Sequence, residues 1–110
     1  MLNFPTEYQE FIEKYGVFSK NGVEIYGLKD GMSDDAIPSV IAATKLYSKN
    51  YDIKENEFVI AFDDYENCPI ILTADNKIYK ITDNNQREKI ADSFNEWFNQ
   101  KLKESEEFNE

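Results

Sequence analysis

The apolar run Phe-Val-Ile-Ala-Phe at residues 58–62 constrains the fold more than any other part of the sequence. Side chains of a β-strand alternate between the two faces of a sheet, so a run that is apolar at every position predicts a central strand covered on both faces. Such a strand requires other elements packed against the sheet, and the rest of the sequence has to supply them.

A β-hairpin is predicted after this strand. Residues 69–74 and 77–82 are rich in β-branched and other apolar side chains, and Asp75 and Asn76 alone separate them. This pair of residues favours a tight turn that tolerates positive φ, so we expect a two-residue hairpin loop.

A shorter strand is predicted nearer the N-terminus, at residues 23–27, where β-branched and aromatic side chains lie between two glycine-containing turns. Strand alternation places Val23 and Ile25 on one face. The sequence does not decide on which face Tyr26 lies.

Three helices are predicted from apolar side chains that recur three and four positions apart. The three stripes are Tyr8, Phe11, Ile12 and Tyr15; Ile37, Val40, Ile41, Thr44 and Tyr47 or Leu46; and Ile90, Phe94, Trp97, Phe98 and Leu102. Pro5 and Gly16 suit the two ends of the first helix. The third stripe is the strongest, and its Phe94 and Trp97 are expected in the core.

The starts of the second and third helices are marked by acidic residues. We expect Asp34 or Asp35 to cap the second helix, an arrangement that typically stabilises a helix by about 1 kcal/mol. Asp83, with Gln86 three residues later, forms the pattern of a capping box at the start of the third helix.

The order of elements predicts an α+β fold, in which a mostly antiparallel sheet of four or more strands has three helices packed against it. Eight Phe, seven Tyr and one Trp in 110 residues provide enough apolar volume for one domain, which we place at residues 1–103. Residues 104–110 contain four acidic and no basic side chains, so we expect them to be a disordered tail, with the folded part ending near Leu102.

Composition excludes several classes of function. The chain has no histidine and a single cysteine, Cys68, which leaves no imidazole base, no Ser/His or Cys/His pair, no zinc site of the usual kind and no internal disulfide. We therefore expect no enzymatic activity, no catalytic residue, no metal and no cofactor. Cys68 lies beside Pro69 with no cation near it in sequence, which predicts a partly buried, inert thiol.

The net charge of −10 also limits the partners. A strongly acidic protein is repelled by nucleic-acid backbones and by anionic membrane surfaces, so the charge indicates either a protein partner or no more than high solubility. The longest apolar stretch is too short to span a bilayer, and the first residues do not resemble a secretion signal, so we expect a cytoplasmic protein.

Two acidic segments are candidate partner-binding sites. In the first, Asp63, Asp64 and Glu66 surround Tyr65 at the expected end of a hairpin, where an exposed tyrosine would serve as an aromatic anchor for a cationic protein surface. The alternative is a solvated turn of an acidic protein. Calcium binding is disfavoured, because the alternating ligands and the glycine of a calcium loop are missing. Carboxylate catalysis is disfavoured too, because carboxylates that are adjacent in sequence do not by themselves indicate a glycosidase-type pair.

The second acidic segment is the polar loop that contains Asp30, Asp34 and Asp35. These carboxylates are further candidate partner-binding residues. For Asp34 and Asp35, helix capping is the favoured alternative.

The order and spacing of four segments resemble the SUKH superfamily, which groups a fungal cell-wall assembly regulator with many bacterial immunity proteins. These segments are Phe-Pro-Thr-Glu-Tyr-Gln-Glu-Phe-Ile at 4–12, Val-Glu-Ile-Tyr-Gly-Leu at 23–28, the central hairpin from the apolar strand through Asp63 and Asp64 to 70–72, and Ala-Asp-Ser-Phe-Asn-Glu-Trp-Phe at 91–98. Together they cover the chain from Phe4 to about Leu102. The sequence departs from the family pattern in its central turn, residues 63–68, which contains no glycine.

The resemblance implies an immunity protein, an antitoxin that binds and neutralises a cognate bacterial polymorphic toxin in the cytoplasm, with no established enzymatic role. With the composition, it predicts that an acidic protein-binding surface meets a basic surface of the toxin. The fungal relatives imply an alternative, a regulatory or scaffolding module that binds an endogenous protein.

Overall fold

The computed structural model describes residues 3–33 and 35–107, which form three helices and six strands. In chain order these are α1 (Thr6–Tyr15), β1 (Phe18–Lys20), β2 (Val23–Ile25), α2 (Val40–Tyr47), β3 (Phe58–Asp63), β4 (Cys68–Leu72), β5 (Ile78–Ile81), β6 (Arg87–Ala91) and α3 (Phe94–Glu107). The predicted α+β fold with antiparallel sheets is confirmed. No helix in the described part of the chain is long and apolar enough to cross a bilayer.

The strands form two antiparallel sheets, a hairpin of β1 and β2 and a four-stranded sheet in the order β3-β4-β5-β6. β3 is therefore an edge strand, and its prediction as a central strand is wrong. Its residues 58–61 are nevertheless buried, and neighbouring elements cover its outer edge: the Val59 N–H donates to the Thr44 hydroxyl of α2 (2.9 Å), and the Tyr26 N–H donates to the Ile60 carbonyl (2.7 Å).

The turn between β4 and β5 is one residue longer than predicted. Thr73 and Lys77 close a three-residue loop, in which the Thr73 N–H donates to the Lys77 carbonyl (2.9 Å) and the Asn76 N–H donates to the Thr73 carbonyl (3.0 Å). Asn76 adopts a φ of 68°, the left-handed conformation expected of the last residue of such a loop. The hairpin is thus confirmed, but its two-residue loop is wrong.

The same loop recurs between β5 and β6, where the sequence predicted the start of a helix. The Thr82 N–H donates to the Gln86 carbonyl (2.9 Å) and Asn85 has a φ of 58°. Asp83 and Gln86 are therefore turn residues and not a capping box. Residues 87–91 pair with β5 because one more strand extends the sheet and buries Ala91.

The capping box of α3 begins ten residues after the predicted cap Asp83 and is formed by Ser93 and Glu96. The Ser93 hydroxyl accepts a hydrogen bond from the Glu96 N–H (3.1 Å), and the Glu96 carboxylate accepts one from the Asp92 N–H (2.6 Å). These reciprocal bonds satisfy backbone donors that a helix start leaves free.

α2 also begins later than predicted, at Val40. Its cap is Ser39, whose buried hydroxyl accepts a hydrogen bond from the Ala42 N–H (3.3 Å). The cap assigned to Asp35 is wrong, since Asp35 lies four residues too early in the chain, and Asp34 lies outside the described residues.

A close backbone crossing joins α1, β2 and α2. Gly16 ends α1 with a φ of 74°, as predicted, and its carbonyl accepts a hydrogen bond from the Leu28 N–H (3.1 Å). A Cβ atom on Gly27 would lie 1.8 Å from the Gly16 carbonyl oxygen, so a side chain at position 27 is sterically excluded. The Gly27 carbonyl in turn accepts the Val40 N–H at the start of α2 (3.0 Å).

The core lies between the two terminal helices and the sheet. Tyr8 and Phe11 of α1 pack against Phe94 of α3 with ring centroids 5.2 and 5.3 Å apart, and Phe98 contacts Phe11 at 5.2 Å. Tyr8 is fully buried, and its hydroxyl donates to the Tyr26 carbonyl (2.6 Å). Phe94 and Trp97 are in the core, as predicted.

α3 extends beyond the predicted end of the fold. Residues 104–107 belong to α3, in the segment for which the sequence predicts a disordered tail, and residues 108–110 lie outside the described part. Ser105 is fully buried, and its carbonyl accepts a hydrogen bond from the Asn21 side-chain amide (2.6 Å). Docking against the β1–β2 turn holds this end of the helix in place.

Replacing Tyr8 by Phe is expected to destabilise the protein by about 1–2 kcal/mol, because the buried Tyr26 carbonyl loses its donor. Urea denaturation would measure the free energy of unfolding. The matched control is Tyr65→Phe, which removes the same hydroxyl from a side chain that is 99% exposed. Equal stability of the two variants would contradict the role given to the Tyr8 hydroxyl.

The ion pair between Glu57 and Arg87 generates a prediction about pH. Burial disfavours the Glu57 carboxylate, but hydrogen bonds from the Arg87 side chain (2.7 and 2.8 Å) and the Lys54 N–H outweigh it and lower the Glu57 pKa from 4.5. A lowered pKa in the folded state gives stability that is complete above pH 4.5 and is lost as the pH falls through the folded-state pKa.

Glu57→Gln is therefore expected to destabilise the protein near neutral pH, and its difference from the unsubstituted chain is expected to shrink below about pH 4.5. Denaturation between pH 3 and 7, spanning roughly the range in which carboxylates titrate, would measure this. The exposed Glu55→Gln serves as control. A difference that is independent of pH would argue against a contribution from the charged pair.

Candidate functional site

The turn between β3 and β4 is built without glycine. The Asp63 carboxylate accepts hydrogen bonds from the N–H groups of Tyr65 (2.9 Å) and Glu66 (3.1 Å), which fixes the first half of the turn. Asn67 supplies the left-handed residue with a φ of 58°. Asparagine tolerates this conformation better than other residues that carry a Cβ, so the sequence needs no glycine here.

Tyr65 lies at the tip of this turn, and its side chain is 99% exposed, as the sequence predicted. Asp64 is exposed beside it, and Asp63 is half-buried because it holds the turn. A large aromatic side chain without intramolecular packing is available to another molecule.

Glu66, the fourth predicted residue of this cluster, is differently placed. Its carboxylate forms an ion pair with Lys80 on β5, and Glu88 on β6 lies 3.7 Å from the same ammonium group. The hydrogen bond that the Lys80 ammonium group donates to the Glu66 carboxylate raises the Lys80 pKa. Glu66 thus anchors the turn to the sheet, and its charge is largely compensated.

A groove of about 410 Å³ opens next to the turn, between the β1–β2 hairpin, the end of β3 and the last turns of α3. Apolar side chains form its floor, namely Val23, Ala61, Ile70 and Trp97. Four carboxylates line its sides, those of Glu24, Asp63, Asp64 and Glu104. Tyr65 also borders the groove, so the aromatic and acidic features lie together.

Lys101 is the one cation among the described residues that line this groove. Its ammonium group lies 3.3 Å from the Glu104 carboxylate and 5.7 Å from the centre of the Trp97 ring. Because Lys101 neutralises no more than one of the four carboxylates, the groove presents net negative charge above an apolar floor. We refer to it below as the acidic groove.

The structure does not bring the second acidic segment to this groove. Asp30 and Asp35 are both exposed, and neither lines the acidic groove. Asp35 borders a separate depression with Lys45 of α2 and Lys49, which follows α2, and the local charge there is mixed. Asp34 lies outside the described residues. Of the two predicted acidic segments, the first alone contributes described residues to the acidic groove.

Sequence reasoning missed Glu24, Lys101 and Glu104 as groove residues. Glu24 alternates with the buried Ile25 along β2 and so had the pattern of an ordinary solvent-facing residue. Glu104 lies in the segment for which the sequence predicts a disordered tail, so the sequence gives it no fixed position. Their proximity to Asp64 arises from the docking of α3 against the β1–β2 turn, a contact that no local sequence pattern encodes.

Cys68 begins β4 and is buried, with 1% of its surface exposed. Burial raises the pKa of its thiol, and the nearby carboxylates of Asp63 and Glu66 raise it further. Such a thiol has little thiolate character at neutral pH. In the described part of the chain, no group of three or more acidic or cysteine side chains converges closely enough to hold a metal ion.

Comparison with known protein families identifies a family for this chain. The SUKH_5 family model, described as SMI1-KNR4 cell-wall, matches residues 1–103 of the 110-residue chain. No curated protein matches the chain. The matched span includes α1, both sheets and most of α3, and therefore nearly the whole acidic groove.

The glycine-free turn generates a prediction about stability. Asn67→Ala is expected to cost about 1 kcal/mol, because alanine lacks the local hydrogen bonding that lets asparagine adopt a positive φ, while Asn67→Gly should be as stable as the original. Thermal and urea unfolding would measure this. Asp64→Ala, in the same turn and without positive φ, is the control; a loss of stability in Asp64→Ala as large as in Asn67→Ala would contradict the explanation.

Proposed function

Since the chain belongs to the SUKH family of SMI1-KNR4 proteins, we propose that it is an immunity protein that binds a cognate bacterial toxin and neutralises it. The family supports a role in protein–protein interaction. The identity of the partner as a toxin, and the acidic groove as the contact surface, are the steps that the proposal adds.

The acidic groove is the observation that supports this proposal most directly. It places an apolar floor, uncompensated carboxylates and the fully exposed Tyr65 within one surface. Interface energy concentrates in a few aromatic anchors surrounded by polar groups, and complementary charge accelerates the encounter with a basic partner. An exposed tyrosine beside a groove of this kind suits a protein partner better than a small molecule.

Neutralisation would be stoichiometric. The protein occupies the toxin's active site or blocks the approach of its substrate, and no chemistry is required of its own side chains. A cytoplasmic location fits this role, because the antitoxin has to meet the toxin where the toxin acts. If the toxin is a nuclease, an acidic surface can occupy its phosphate-binding groove.

A regulatory or scaffolding module for an endogenous protein is the second candidate. It is favoured by the cell-wall description of the matching family and would use the same groove. The genomic neighbourhood separates the two, since a secreted-toxin gene next to this one favours immunity and an isolated gene favours regulation.

Co-expression with candidate toxins from the same genome tests the proposal. We expect the full chain to restore growth against one toxin and to co-purify with it. Asp64→Lys is expected to weaken the complex, whereas Asp35→Lys, the same charge reversal on an exposed residue outside the groove, should not. Absence of rescue with every toxin encoded by that genome would contradict the immunity role.

The same complex provides a kinetic measurement. Stopped-flow association is expected to slow as salt increases, because screening removes electrostatic steering, and the salt dependence should be smaller for Asp64→Lys. An association rate that is indifferent to ionic strength would contradict steering by the acidic groove while leaving the rescue result intact.

A further inference from the structure

The acidic groove is a gap between two strand edges. In the β1–β2 hairpin, Asn21 and Gly22 form a two-residue turn with φ values of 51° and 85°, and Ser19 lies opposite Glu24. A two-residue loop is closed by a hydrogen-bonded pair, so the next pair along, Ser19 and Glu24, is not hydrogen-bonded. The N–H and C=O of Glu24 therefore point away from β1, toward the groove.

β3 offers a matching edge. Phe62 lies opposite Pro69 of β4, and proline has no N–H to donate. Opposed residues in an antiparallel pair either exchange both hydrogen bonds or neither, so the N–H and C=O of Phe62 also point away from the neighbouring strand. Both Glu24 and Phe62 line the groove.

The two edges face each other but do not pair. The bond from the Tyr26 N–H to the Ile60 carbonyl joins them, and Glu24 and Phe62 lie two residues beyond it, in antiparallel sense. In the described part of the chain, β2 pairs with β1 and β3 pairs with β4, and no strand pairing joins Glu24 to Phe62. The groove lies at this place, where residues of both strands line it.

The rest of the outer edge of β3 is covered. The hydroxyl of Thr44 accepts the Val59 N–H, and Tyr26 donates to Ile60, so the unpaired part of the edge is confined to the groove. Unpaired strand edges are templates for the addition of another strand. We propose that the acidic groove binds an extended segment of a partner protein, which pairs with the backbone of Glu24 and Phe62.

The chemistry of the groove specifies this segment. Alternate side chains of an extended segment point to opposite faces, so one set would rest on the floor formed by Val23, Ala61, Ile70 and Trp97. The other set would lie among the carboxylates that line the groove. The structure therefore assigns the groove an occupant in which apolar and basic residues alternate.

This inference rests on the proposed function, because the occupant is a segment of the partner that the protein neutralises. It is tested without that partner. The probe is a terminally blocked twelve-residue peptide of alternating Lys and Val, a length of about 40 Å when extended. It is added to the isotope-labelled full chain at low salt while backbone amide resonances are recorded by NMR.

We expect saturable shifts centred on the amides of Glu24 and Phe62. A peptide of the same sequence in which every valine is N-methylated, so that one of its two edges has no N–H donors, should bind more weakly, by about fivefold for each hydrogen bond lost. A Glu-Val peptide of the same length should not bind. Because these changes are made in the probe, they leave the folding of the protein untouched.

Variants of the protein provide the matched comparison. Glu24→Pro removes the N–H that faces the groove and leaves the β1–β2 ladder intact, so it should weaken binding more than Glu24→Gln, which removes the charge alone. Ser19→Pro introduces the same residue into the same non-hydrogen-bonded pair, but on the edge that faces away from the groove. It should bind the peptide as the original chain does.

Strand addition would be overturned if the N-methylated peptide bound as tightly as the unmodified peptide, or if Glu24→Pro and Glu24→Gln bound the peptide equally. Either result would show that the peptide is held by charge attraction without backbone pairing. Shifts spread over the acidic surface, or no shifts, would overturn the assignment of the groove. Failure of the proposed function gives a different result. Immunity is refuted if the chain binds the peptide but restores growth against no toxin, whereas strand addition is refuted if Glu24→Pro restores growth as well as the original chain does.

Discussion

The backbone of Tyr26 is the point on which the architecture depends. Its carbonyl accepts the hydroxyl of the buried Tyr8, and its N–H donates to Ile60 at the irregularity in β3. One peptide segment thus connects the N-terminal helix, the small hairpin and the main sheet. Buried backbone groups have to be paired, so a displacement of this segment would leave unpaired groups in three elements.

The same link explains the position of the acidic groove. Tyr26, which follows β2, is bonded to Ile60 of β3, and beyond this bond no ladder joins the two strands, so their facing edges border the groove. The end of α3 closes the third side through the Ser105 carbonyl and the Asn21 side chain. A family of binding proteins can keep the supporting contacts constant while the residues that line such a groove vary with the partner.

The elements that sequence reasoning predicted correctly are those encoded by local patterns. The stripe from Tyr8 to Tyr15 ending at Gly16 and the alternation in β2 each depend on neighbours within a few residues. The errors have tertiary causes. Ile90 fits the helical stripe that includes Phe94, yet it lies in β6, because pairing with β5 stabilises residues 87–91 more than one further helical turn would. The run at 58–62 is apolar because α2 and Tyr26 cover it, and not because strands flank it on both sides.

The sequence by itself determined the fold class, the family resemblance, the exposed Tyr65 within an acidic turn, and the absence of histidine chemistry. Each of these depends on composition or on short-range periodicity, and both are properties of the chain before it folds. The tertiary structure alone decided that Glu24 and Glu104 join Asp63 and Asp64, that Glu66 pairs with Lys80 instead, and that Asp35 lies elsewhere. The distance between charges on different elements is set by how those elements pack, which no local pattern contains.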